Sequence, residues 1–103
     1  MGTDPKDKRP QLALPEMMLH GGMRMTRKRA IKLIMAAGGN GQPHHAAKQL
    51  DSAKRLWNVD NCTAVLYVLK RQYLMYLTMA RFLDMARIVR IYRRINPAFT
   101  YFE

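Results

Sequence analysis

The segment from residue 61 to residue 95 limits the possible folds most strongly. It contains neither glycine nor proline, its apolar residues recur at helical spacing, and Pro97 follows it closely. The side of the predicted helix that carries the polar residues differs between the two halves of the segment. Four polar residues mark one side in the first half: Lys70, Arg71, Thr78 and Arg81. Four charged residues mark a side rotated around the axis in the second half: Asp84, Arg87, Arg90 and Arg94. A straight helix cannot bury one stripe with this pattern, so we expect either that it bends or breaks near residues 78–84 or that its second half packs on something else.

Two shorter helices are predicted before it. Residues 23–37 place Ala30, Leu33 and Ile34 on one side, and the glycine-rich residues 38–41 end that helix. Residues 43–57 begin with a proline suited to the first helical position and carry an apolar stripe that ends at Trp57. Asp60 is a good N-cap for the third helix. The prediction is an all-α domain of three or four helices over residues 23–97.

The two ends of the chain differ in composition from the helical domain. Residues 1–22 contain three prolines and are expected to form an extended arm. Residues 98–103 contain Phe99, Tyr101 and Phe102, an aromatic tail that either folds over the core or docks on a partner. The start of the chain has no apolar stretch typical of a secretion signal, and no segment is long enough to span a membrane. We therefore expect an intracellular, non-secreted protein.

The charge is strongly positive and uneven, with 18 Lys and Arg against 7 Asp and Glu, a net charge of +11. We define a first basic cluster by its five members within one predicted helix: Arg24, Arg27, Lys28, Arg29 and Lys32. Like charges four residues apart each oppose a helix by about 0.2–0.5 kcal/mol. If Thr26 is the N-cap, cations also occupy the first turn, where the helix dipole favours anions. An anionic partner would offset this cost.

A second basic cluster lies late in the long helix and is made of arginine alone: Arg87, Arg90, Arg93 and Arg94. The planar guanidinium group suits phosphate or carboxylate recognition, whereas lysine would serve equally well for solubility. With 18 cations and 7 anions, intramolecular pairing cannot neutralise both clusters. We predict that the two clusters contact the phosphates of a nucleic acid.

No residue pattern indicates catalysis, a cofactor or a metal site. The seven acids are scattered, and no Ser-His-Asp or Cys-His set can be assembled. His44 and His45 are adjacent on a helix and point about 100° apart, so they cannot chelate one metal together. The single cysteine, Cys62, lies in an apolar stretch and is expected to be a buried, unreactive thiol. We predict a protein that is not an enzyme.

Residues 53–71 resemble a helix-turn-helix motif, which would imply DNA reading by the second helix. Trp57 stands where the turn of that motif usually has glycine, and one extra residue is needed to align Val65. The second helix is also too apolar to face a DNA groove. These departures argue against this mode of binding.

The sequence thus predicts a small basic protein that binds RNA or DNA through its phosphate backbone, within a larger assembly. Two alternatives stay open. One is a helical interaction subunit or adaptor whose partners are proteins or further copies of itself. The other is a peripheral binder of anionic membranes through the first basic helix.

Overall fold

The computed structural model describes residues 24–38 and 42–97. They form four helices: α1 (Arg27–Gly38), α2 (Pro43–Trp57), α3 (Asn61–Thr78) and α4 (Phe82–Ile95). Helix accounts for 83% of the described residues, and there is no strand among them. The all-α prediction is confirmed, with four helices in the described part of the chain. The predicted arm at residues 1–22, Met23, the connection at 39–41 and the aromatic tail at 98–103 lie outside the described residues.

Helix α1 begins at Arg27, later than the predicted start at residue 23. The side chain of Thr26 explains this boundary, because its hydroxyl oxygen accepts a hydrogen bond from the backbone N–H of Arg29 at 3.2 Å. A threonine that caps the N-terminus of a helix has a non-helical backbone conformation, so the helix begins at the residue after it. Arg24 therefore precedes the helix, and the prediction that it lies within the same helix as the rest of the first basic cluster is wrong.

The predicted single helix over residues 61–95 is divided into α3 and α4 at residues 79–81. The break lies within the region where the polar side was seen to rotate, as predicted. The backbone N–H of Arg81 donates to the carbonyl oxygen of Tyr76 at 3.0 Å, and that of Ala80 donates to Leu77 at 3.2 Å. This pair of bonds is a Schellman motif, which needs a left-handed residue after the helix. Ala80 supplies it with φ of 54°.

The core is organised around the first half of α3, where every residue from Cys62 to Lys70 is buried. Helices α1, α2 and α4 all pack against α3. Leu66 and Leu69 are fully enclosed. Lys70 was expected on the polar side, but it is only 3% exposed. That expectation is wrong because three neighbours surround α3; the Lys70 ammonium group lies 5.8 Å from the ring centroid of Tyr73.

Two hydrogen bonds fix the relative direction of α1 and α3. At one end, the side-chain amide of Asn61 donates to the carbonyl oxygen of Met25 at 3.1 Å. At the other, the Tyr76 hydroxyl donates to the carbonyl oxygen of Gly38 at 3.0 Å. The starts of α1 and α3 are therefore neighbours, and so are their ends. Short connections at residues 58–60 and 79–81 make α2 and α4 run in the opposite direction to α3.

Ala80 is a site where the fold can be stabilised. An L-residue with a Cβ atom in the left-handed region costs about 1 kcal/mol, which glycine avoids. We expect Ala80→Gly to raise the free energy of unfolding by about 0.5–1 kcal/mol, after the greater unfolded-state entropy of glycine is included. Urea denaturation followed by circular dichroism measures this change.

The matched control is Ala86→Gly, which makes the same chemical change at an exposed position inside α4. There the backbone is helical, so glycine should lower stability by about 0.5–1 kcal/mol. Destabilisation of similar size by both substitutions would contradict the role given to Ala80 in the break.

Candidate nucleic-acid interface

The alternating helix directions bring cations from distant parts of the sequence to one end of the bundle. This end contains the starts of α1 and α3 and the last turns of α2 and α4, because α1 and α3 are parallel and α2 and α4 return. We call it the basic end and define it by the nine cations of those segments: Arg24, Arg27, Lys28, Arg29, Lys54, Arg55, Arg90, Arg93 and Arg94. Lys32 and Arg87 lie nearer the middle of their helices. The other members of the two predicted clusters therefore lie at the same end of the bundle.

The first basic cluster surrounds the start of α1. Arg24, Arg27, Lys28, Arg29 and Lys32 are all exposed. Lys28 and Lys32 are one turn apart on the side opposite the buried Ala30 and Ile34, so both ammonium groups face solvent. The first turn contains no acidic residue to complement the dipole. This arrangement keeps the start of α1 electropositive.

Arg27 differs from the others because it reaches α2. Its guanidinium group donates to the carboxylate of Asp51 at 2.9 Å. This hydrogen bond lowers the pKa of Asp51, so the carboxylate remains ionised and the pair stays formed well into the acidic range. Part of the Arg27 charge is thus already neutralised. Lys28, Arg29 and Lys32 have no ion pair within the described part of the chain.

The second basic cluster is divided by its surroundings. The buried side of α4 is formed by Met85, Ile88, Tyr92 and Ile95. Arg90 and Arg94 lie on the opposite side and are exposed, whereas Arg87 and Arg93 are partly buried. A guanidinium nitrogen of Arg87 lies 3.2 Å from the carboxylate of Asp84. Arg90 and Arg94 are therefore the members most open to a partner.

The sequence prediction omitted Lys54 and Arg55, which occupy the last turn of α2. Cations are favourable there because they complement the negative end of the helix dipole. Their placement next to the first basic cluster follows from the short turn before α3, which makes α2 and α3 antiparallel neighbours. Asp60, an acid at the start of α3, caps that helix and accepts a hydrogen bond from the backbone N–H of Thr63 at 2.9 Å.

The helix-turn-helix arrangement is contradicted by the burial of its second helix. That role would fall to α3, whose residues Cys62–Lys70 are all buried. A recognition helix must expose its N-terminal half to the major groove. The basic end instead presents helix termini and long cationic side chains.

The described residues offer little for metal or thiol chemistry. No group of three or more His, Cys, Asp or Glu side chains among them could hold a metal ion. The rings of His44 and His45 lie against each other, with centroids 4.3 Å apart. Cys62 is free and buried, as predicted. Burial, together with the nearby Asp60 carboxylate, raises the pKa of its thiol from 9.0 to about 11.

Comparisons of this chain with protein-family models, with curated proteins and with solved structures find no match. None of the four described helices is long and apolar enough to cross a membrane. Only the charge and geometry of the described residues therefore bear on function.

The raised pKa of Cys62 predicts slow alkylation of the folded protein. The thiolate is the reactive species, and near pH 8 it should be a very small fraction of the folded population, so reaction with iodoacetamide should be at least about 10-fold slower than in concentrated guanidinium. The thiol form contributes stability that is complete below pH 9.0 and is lost as the pH rises through about 11. Mass spectrometry of timed samples measures the rate. Equal rates in the folded and unfolded protein would show that the thiol is accessible.

Proposed function

We propose that this protein binds nucleic acid through the phosphate backbone, using the basic end and without catalysing a reaction. The observation that carries the proposal is the meeting of cations from α1, α2 and α4 at one end of the bundle. The predicted clusters are separated by more than fifty residues of sequence, yet the helix directions bring them together. The self-repulsion of such a concentration opposes folding, and a polyanion relieves it.

The size of the bundle sets the size of the binding site. Its described extents are 35 × 31 × 29 Å. A face about 30 Å wide spans about 9 base pairs at 3.4 Å per step. The contacts come from long flexible side chains near helix ends. We therefore infer binding to RNA or DNA with little sequence preference.

The proposal is tested with the double variant Lys28→Glu/Lys32→Glu. Both side chains are exposed and have no described ion pair, so their reversal should leave the fold intact. We expect affinity for duplexes of about 20 base pairs to fall about 10- to 100-fold, and the slope of log K against log salt to fall by about 2. Fluorescence anisotropy at several salt concentrations measures both quantities, with DNA and RNA of unrelated sequences.

The matched control is Lys48→Glu/Arg71→Glu, which changes the net charge equally but lies on the α2–α3 surface away from the first basic cluster. It should change the affinity by less than about 3-fold under the same conditions. If both double variants lost the same affinity for nucleic acid, binding would depend on the total net charge and not on the position of Lys28 and Lys32. Absent or salt-independent binding of the unaltered protein would overturn the proposal.

A second function, docking into a protein assembly, is favoured by a different surface. The large exposed apolar side chains of the described chain all fall within residues 75–83: Met75, Leu77, Met79, Phe82 and Leu83. They surround the break between α3 and α4, at the end of the bundle opposite the basic end. We call this group the apolar end. Exposed apolar groups concentrated in this way are typical of a protein contact.

For the apolar end, the test is Phe82→Asp/Leu83→Asp, two positions that are 66% and 86% exposed and can accept a charge without loss of core packing. The tagged protein is purified from a nuclease-treated cell lysate, and the proteins that purify with it are identified by mass spectrometry. We expect partners that remain bound to the unaltered protein and to Lys28→Glu/Lys32→Glu but are lost from the Phe82/Leu83 variant. Retention of the same partners by all three proteins would exclude this surface.

A further inference from the structure

A groove runs between α2 and α3, and its lining contains residues of these two helices alone. Its volume is about 710 Å³. The floor is largely apolar and includes Ala53 and Leu56 from α2 and Val68, Leu74 and Met75 from α3. Helix α4 packs on α1 and α3 and does not reach α2, so no described helix covers the groove.

The charged groups of the groove are both cations, one on each wall. Lys48 stands on the α2 wall and Arg71 on the α3 wall, and both are exposed. Among the described residues that line the groove, none is acidic. The Arg71 guanidinium lies 5.8 Å from the ring centroid of Tyr67, which holds it at the edge of the apolar floor. The charge on the two walls therefore fits an occupant that has acids on both sides of an apolar strip.

The length of the groove specifies the shape of that occupant. Along α3 the lining residues run from Tyr67 to Thr78, about 16 Å at 1.5 Å per residue. A helix of three turns has this length, and its residues at positions i, i+3, i+4 and i+7 form one apolar stripe. Carboxylates next to that stripe on either side would meet Lys48 and Arg71.

We propose that the groove binds a three-turn amphipathic helix of a partner protein that has acidic residues on both sides of its apolar stripe. A second copy of this chain fits poorly, because the exposed sides of α1 and α4 present Lys28, Lys32, Arg90 and Arg94 toward any acceptor. A flat membrane surface cannot enter a groove between two helices. The inference does not rest on nucleic-acid binding, since it uses other residues.

The probe is a fluorescent synthetic peptide of about four helical turns with leucine along one stripe and glutamate on both sides of it. The comparison peptide has lysine in place of every glutamate. Binding of each to the full-length protein is measured by anisotropy, and the contact surface is mapped by amide chemical shifts. Two variants alter the groove, Lys48→Glu/Arg71→Glu and Met75→Asp; Met75 is 47% exposed and so tolerates a charge.

Each groove variant has a matched control. Lys28→Glu/Lys32→Glu makes the same change in net charge within the first basic cluster, and Leu83→Asp makes a similar apolar-to-acid change at a position 86% exposed outside the groove. We expect the glutamate peptide to bind at least about 10-fold more tightly than the lysine peptide. Both groove variants should weaken it about 10-fold, whereas both controls should change it by less than about 3-fold.

Three results would overturn the proposal. The first is no saturable binding of the glutamate peptide. The second is an equal loss in the two double variants, which would indicate attraction to the total charge. The third is a map of chemical-shift changes that is wrong for the groove. The peptide could shift amides outside α2 and α3, which would place its binding site elsewhere. Alternatively, the groove amides could shift with protein concentration in the absence of peptide, which would identify a second copy as the occupant. Loss of nucleic-acid binding in Lys28→Glu/Lys32→Glu leaves all three readouts unaffected, so the two proposals fail separately.

Discussion

The burial of α3 on nearly all sides is the constraint on which the rest of the structure depends. Nine consecutive residues, Cys62 to Lys70, are removed from solvent. Burial of this extent needs neighbours around the helix, and α1, α2 and α4 provide them. At about 25 cal/mol per Å² of apolar surface, the enclosed Leu66 and Leu69 each contribute on the order of 2 kcal/mol. The outer helices bury only single stripes, and their remaining surface is free to carry charge.

The directions of the helices convert a charge pattern in sequence into a charge pattern in space. The contacts Asn61–Met25 and Tyr76–Gly38 make α1 and α3 parallel. The short connections return α2 and α4, so cations near residues 24–29 and residues 90–94 share an end. The three acids of the described residues are already engaged, because Asp51 binds Arg27, Asp84 binds Arg81 and Arg87, and Asp60 caps α3. The exposed lysines and arginines that remain are the ones most suited to phosphate contacts.

Helix existence and the break in the third helix could be predicted from sequence because both depend on periodicity. The break was predicted only to the region of residues 78–84, since no glycine or proline marks the exact residue and Ala80 adopts the left-handed conformation instead. The start of α1 depended on whether Thr26 capped the helix, a choice between neighbouring hydrogen bonds that spacing alone does not decide. Lys70 was misplaced because burial on several sides removes the alternation that separates a polar face from an apolar one.

The composition of the candidate site could be predicted from the sequence, but its arrangement could not. Sequence identified the two basic clusters, but their meeting at one end follows from long-range contacts. Lys54 and Arg55 were omitted for the same reason, since their proximity to α1 appears only in the folded chain. The α2–α3 groove had no local signal at all, because it is made by side chains of two helices that are unremarkable when each is considered separately.

The separation of cations from exposed apolar groups has a consequence for how the molecule meets other bodies. Nine of the fifteen described lysines and arginines lie at the basic end, so the described part of the chain carries an electric dipole moment whose positive side is that end. In the field of a polyanion, such a dipole would experience a torque before any contact is made, and under the proposed nucleic-acid binding the basic end would approach first. The apolar end then points outward. Molecules bound side by side along a nucleic acid would then all have the same orientation and would expose their apolar ends on the outside. Added salt would randomise this orientation at a lower concentration than is needed to abolish binding.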